Sequence, residues 1–112
     1  MTFHAQSLDD LACMKLAAIA QRGSRKDFMD LHVLATDHRP LRDIVDLYRR
    51  KYSIEDIVHV LVGLTYFDDA EDEPMPVMLN KVSWDAVKQQ FREWARTLAG
   101  QRQTSVKDVS FD

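Results

Sequence analysis

Apolar residues recur at spacings of three and four along the chain, and sustained period-two alternation occurs nowhere. Chain breakers are scarce and clustered: Gly23-Ser24, Pro40, the Pro74-Met75-Pro76 stretch and Gly100 divide the sequence into helix-sized blocks. Ser7 to Arg22 predicts a first helix, with Ser7 as its cap, Asp9 and Asp10 in the favourable first turn and Gly23 as its stop. Ser24 predicts the cap of a second helix running from Arg25 to about Thr36. Pro40 opens a third, on which Leu41, Ile44, Val45 and Tyr48 keep helical spacing. A fourth is expected from Ser53, with Ile54, Ile57, Val58, Leu61 and Leu64 as its apolar stripe. Ser83 caps the last, which carries Val87, Phe91, Trp94, Ala95 and Leu98. The only segments that read as extended are Thr2–Ala5 and Pro76–Leu79. The pattern predicts an all-α compact bundle of about five helices, a single domain over residues 1–100, and a polar tail over 101–112 expected to fray.

Composition narrows the classes available to such a bundle. The 112 residues hold 15 Lys+Arg and 18 Asp+Glu, a net charge of −3, with 46% hydrophobic positions, which is ordinary globular make-up. That charge argues against a whole-surface nucleic-acid binder and leaves a local basic patch open. A lone Cys13 excludes an internal disulfide and a cysteine-based zinc site. No apolar run reaches the length of a membrane span, and the start lacks the pattern of a signal peptide, so the expected setting is cytoplasmic. Between the fourth and last helices, five of the six residues from Asp68 to Glu73 are acidic, followed by Pro74 and Pro76. This stretch reads first as a solvated loop, and second as a docking loop for a basic partner or a peripheral metal.

Two groups of residues carry potential chemistry. At about 100° per residue, Lys15 falls within roughly 20° of the middle of the face formed by Leu8, Leu11, Ala12 and Ile19. An ammonium there must snorkel, pair with an acid, or serve as a cation held in a cleft for phosphates. Asp27 and Asp30 lie one turn apart on a face that continues into Leu31 and Leu34, which directs both carboxylates toward the packed side. A first-turn aspartate is also explained by the helix dipole alone. The short Gly23-Ser24 turn makes the first two helices neighbours, so Lys15 is expected to face Asp27 or Asp30. Arg22, Arg25 and Lys26 beside the second helix start form a pattern suited to anions. His4, His32, His38 and His59 show no ligand spacing, Gly-rich phosphate loops and the nucleophile-elbow pattern are absent, and Trp84 and Trp94 read as core residues.

The segment SLDDLACMKLAAIAQRGSRKDFMDLHVL resembles the C-terminal helical part of the AbiEii/AbiGii-type nucleotidyltransferases, the toxin family of type IV toxin–antitoxin systems. IVHVLVGLTYFDDAEDEPMPVML and SWDAVKQQF are similar to a branch of the same family, and the resemblance spans about Ser7 to Leu98. It implies that Lys15, Asp27 and Asp30 are catalytic-site residues, and that Arg22 and Lys26 are flanking basic, substrate-binding positions. In that family a preceding domain supplies a Gly-Ser turn for the triphosphate and an Asp-x-Asp pair for magnesium. Neither has a counterpart upstream of Ser7, and Gly23-Ser24 joins two helices rather than following a strand. The resemblance therefore implies no metal or cofactor held by this chain alone, with a nucleoside triphosphate and magnesium belonging to an assembled enzyme. Its implied partners are a missing or separately encoded catalytic domain, self-association through the face left uncovered, and a cognate antitoxin. The other readings are a non-catalytic interaction module or family remnant, and a free-standing small enzyme.

Overall fold

The computed structural model describes residues 4–74 and 82–111, with side chains over residues 8–74 and 82–100. Every regular element among them is helical, in the order α1 (His4–Arg22), α2 (Arg25–Asp37), α3 (Leu41–Tyr52), α4 (Val58–Leu64), α5 (Asp68–Glu71) and α6 (Trp84–Phe111). The expected all-α bundle is what forms, with five principal helices and the four-residue α5 added between α4 and α6. Helix α1 packs against α2, α3 and α4, and α6 closes the bundle against α2 and α4.

Two close approaches explain the placing of glycines. A Cβ on Gly23 would lie 2.9 Å from the side chains of both Ile19 and Phe28, so only glycine lets α2 fold back directly onto α1. A Cβ on Gly63 would run into the Ile19 carbonyl oxygen and lie 2.9 Å from Ala20 Cα, so α4 crosses α1 backbone to backbone. The centre of the core is aromatic. Phe28 of α2 meets Phe67, Trp84 and Phe91 with ring centroids 5.1, 5.9 and 5.3 Å apart, tilted or edge-on as the ring quadrupoles favour. Trp84 is buried and Trp94 half-buried against Phe91, the core roles expected of both.

Several boundaries differ from the expectation, each for a local reason. Helix α1 begins at His4, so Ser7 lies inside it and does not cap it, and His4-Ala5 is helical instead of extended. The extended reading of Pro76–Leu79 falls within residues 75–81, which lie outside the described residues. Ser53 does not start α4. It ends α3 in the left-handed conformation, φ 55°, with its N–H bonded to the Arg49 carbonyl. Residues 54–57 are consequently non-helical: the Arg49 guanidinium donates to the Ile54 and Glu55 carbonyls at 3.2 and 3.0 Å, and α4 begins at Val58. The later start rotates the stripe, burying Val60 and Leu64 while leaving Val58 exposed. Gly100 does not interrupt α6, which runs on to Phe111; a Cβ there would meet nothing within 4 Å. Ser24 and Ser83 act as the expected caps, their hydroxyls accepting from the Asp27 and Ala86 N–H groups at 3.1 and 2.9 Å.

On α1 the buried side is Ala12, Cys13, Leu16 and Ile19, whereas Leu8 and Leu11 emerge at 40% and 38% exposure beside Met14 at 58%. Lys15 therefore stands at the border of the buried side, not at its middle. Among the described residues, no helix is long and apolar enough to cross a membrane.

Candidate functional site

The turn between α1 and α2 builds the site. Ser24 adopts an extended conformation, and its hydroxyl accepts the Asp27 N–H. In return Asp27 Oδ2 accepts the Ser24 N–H at 3.1 Å, completing a reciprocal capping box. This leaves the other oxygen, Asp27 Oδ1, 3.1 Å from Lys15 Nζ on α1. One turn along α2, Asp30 Oδ2 lies 3.0 Å from the same ammonium and 2.8 Å from Lys26 Nζ. Lys15, Asp27 and Asp30 are 19%, 20% and 30% exposed, so the triad lies at the rim of the packed interior with one side toward solvent.

Burial works against the charge on Lys15, but hydrogen bonds from its ammonium to Asp30 and Asp27 outweigh it and raise its pKa above the ordinary lysine value. Burial likewise opposes ionisation of Asp30, yet bonds from Lys26 and Lys15 hold its carboxyl below the usual range. The resting site is therefore a charged network of two ammonium and two carboxylate groups. An ammonium carries three N–H donors. Two of those on Lys15 are directed at Asp27 and Asp30, which leaves a third donor beyond these two carboxylates. Both carboxylates are committed to lysines and the cap, which suits them to orient cations and does not suit them to hold magnesium. Among the described residues, no group of three or more His, Cys, Asp or Glu side chains could hold a metal ion.

The remaining basic residues separate. Lys26 joins the triad through Asp30. Arg22 is 76% exposed, and its Nε donates to Asp69 Oδ2 at 2.7 Å. Arg25, only 12% exposed, serves the fold: it donates to the Ala70 and Glu71 carbonyls at 3.0 and 2.8 Å and stacks over Trp84 at 4.9 Å. Its backbone N–H donates to Glu73 Oε1 at 2.5 Å. The anion-binding pattern read at the start of α2 is thus met by carboxylates of the same chain, Glu73 and Asp27.

The acidic stretch is accordingly no free loop. Glu71 accepts from the Trp84 indole at 2.9 Å and from Lys88 at 2.7 Å, which together draw its carboxyl below the ordinary range. Sequence reasoning missed this strap because its partners stand well apart along the chain, 13 and 17 residues for Trp84 and Lys88 on Glu71 and 48 for Arg25 and Glu73. Ser24 was expected as a cap, and the Ser24-x-x-Asp27 spacing is the local signal that makes the cap reciprocal. The three histidines with described side chains are structural or peripheral: His38 bonds Asp9 at 2.7 Å, His59 bonds Tyr48 at 3.0 Å, and His32 lies against Phe91 and Trp94. Cys13 is a buried core thiol, whose pKa burial raises.

An uncharacterized protein, aq_aa25, of Aquifex aeolicus (strain VF5) is 46% identical over 65 residues, 57% of this chain. The match spans 32% of that relative's length, so the chain corresponds to about a third of it. No solved structure matches the chain. A family model described as "Nucleotidyl transferase AbiEii toxin, Type IV TA system" matches residues 1–110, nearly the whole chain, and the protein belongs to the AbiEii nucleotidyltransferase toxin family.

Proposed function

We propose that this chain forms the helical wall of a nucleotidyltransferase cleft, completed by a catalytic module beyond these residues. The observation that carries the reading is the Lys15 ammonium, held 3.1 and 3.0 Å from two partly buried aspartates, one of them locked by a helix cap. Nucleotidyl transfer moves a group whose phosphates are anionic throughout, and a cation positioned in advance stabilises the charge that develops without rearranging at the moment of reaction. In this reading Lys15 binds nucleotide phosphates through its remaining donor, Asp27 fixes its direction or orients the accepting hydroxyl, and Asp30 keeps it charged while tethering Lys26. Arg22 and Lys26, both well exposed, extend the positive surface along the phosphates.

Magnesium in such an enzyme would need carboxylates that are not paired with lysines, and those belong to the completing module. Leu8, Leu11 and Met14 flank Lys15 on α1 and remain 38–58% exposed, which fits a face covered by that module. Family membership supports a cognate antitoxin as a partner of the completed protein, and the reading sets both in the cytoplasm. The decisive experiment is nucleotide transfer from radiolabelled triphosphates by the chain co-expressed with a nucleotidyltransferase module. Lys15→Ala is expected to reduce transfer about a hundredfold or more, the scale of losing one transition-state electrostatic contact. Undiminished transfer by a folded Lys15→Ala protein would overturn the assignment.

A further inference from the structure

The partner of Arg22 is delivered by a separate, braced element. Asp69 sits on α5, and α5 is secured by the Arg25 guanidinium at the Ala70 and Glu71 carbonyls, by Glu73 on the Arg25 N–H, and by Trp84 and Lys88 on Glu71. An exposed ion pair between two free side chains is weak because both must be ordered to make it. Here the backbone carrying the acid is ordered already, and Asp69 is only 33% exposed against 76% for Arg22. The contact also has a direction. Asp69 Oδ2 takes the Nε–H of Arg22, at 2.7 Å, on the side edge of the guanidinium, and the end edge, with one N–H from each terminal nitrogen, points in a different direction. Those nitrogens form the donor pair that suits a phosphate.

We propose that Asp69 is a positioning residue for Arg22: the α5 strap holds the guanidinium by its Nε so that its terminal nitrogens present a fixed fork to a phosphate group. The inference rests on the reading of Arg22 as a phosphate-binding residue and adds the element that orients it. It also gives the acidic stretch a role other than solvation or repulsion of anions. The alternative role, a counter-charge that merely competes with phosphate for Arg22, makes the opposite prediction for removal of the acid.

The test is titration of the full chain with inorganic triphosphate at low salt, followed by amide resonances of residues 22–26, with the Trp84 indole N–H reporting whether α5 stays seated. Arg22→Ala is expected to weaken binding about fivefold or more, the scale of a lost hydrogen bond. Asp69→Ala is expected to weaken it about as much, although it removes a negative charge. Asp69→Asn, which keeps an acceptor oxygen for Nε, is expected to bind as well as the unsubstituted chain or better. Equal or tighter binding by Asp69→Ala would overturn the proposal and leave Asp69 a competing counter-charge. An Arg22→Ala chain that binds unchanged would instead overturn the reading of Arg22 itself. Should the Trp84 resonance move in Asp69→Ala, Arg22→Lys decides: it keeps the charge but not the fork, and undiminished binding would refute positioning.

Discussion

Removing the Asp27 carboxylate tests how firmly the site is built into the fold. Asp27→Ala deletes three contributions at once. The bond from the Ser24 N–H to Oδ2, 3.1 Å, is worth about 1 kcal/mol net as half of a capping box. The contact between Oδ1 and Lys15 Nζ, also 3.1 Å, joins groups that are 20% and 19% exposed, so screening is incomplete and about 1 kcal/mol is appropriate. The favourable dipole term of a first-turn acid adds about 0.3–1 kcal/mol. The total is about 2–3 kcal/mol, which in a domain of this size lowers the melting temperature by roughly 10 °C or more. Asp27→Asn keeps an acceptor for the Ser24 N–H and loses the charge, so about half that loss is expected. Calorimetry or chemical denaturation measures both variants, and a double-mutant cycle with Lys15→Ala isolates the Lys15 contact. A cost below about 0.5 kcal/mol for Asp27→Ala, or no coupling to Lys15 beyond the error of about 0.3 kcal/mol, would refute the view that one carboxylate serves both cap and site.

Three other perturbations probe the surrounding frame. Gly63→Ala forces a methyl group against the Ile19–Ala20 backbone and is expected to cost about 2–3 kcal/mol or to unfold the domain, measured by thermal melting; an unchanged melting temperature would show that α4 does not cross α1 this closely. Ser53→Gly relieves a left-handed position at φ 55° and is expected to stabilise by about 0.5–1 kcal/mol in denaturant titration, where a loss of stability would contradict the end of α3 at that residue. Acid is expected to act in two stages. Burial holds the folded His32 pKa below 6.5, so the unfolded chain takes up the proton first and stability falls as pH drops from about 6.5 until the folded value is passed. Asp30, held below its ordinary 3.8 when folded, contributes stability present above that value and lost only as pH falls through the folded one. His32→Gln should abolish the upper stage in stability measured against pH and leave the lower one in place.

What could be read from the residues, and what could not, follows from how far each contact reaches along the chain. Lys15 and Asp27 are twelve positions apart, but a Gly-Ser turn that admits only a tight return makes them neighbours, so helical geometry alone pairs them. The caps at Ser24 and Ser83 were legible for the same reason: each side chain bonds a backbone group three residues on. Ser53 was misplaced because a serine can begin a helix or stand just past the end of one. What decides is the Arg49 guanidinium reaching forward to Ile54 and Glu55, a tie that no periodicity encodes. The acidic stretch was the hardest to read. Its five carboxylates repel one another when considered alone, and only the fold brings Arg22, Arg25, Trp84 and Lys88 to them. That difference bears on function. Lys15, Asp27 and Asp30 owe their arrangement to one local hairpin of helices, which would persist whatever packs on α1. The direction of Arg22 depends on α5, and α5 depends on contacts from both α2 and α6. Loosening α6 should therefore disturb Arg22 while leaving the Lys15 triad intact, so the two parts of the proposed site can be separated by perturbations far from either.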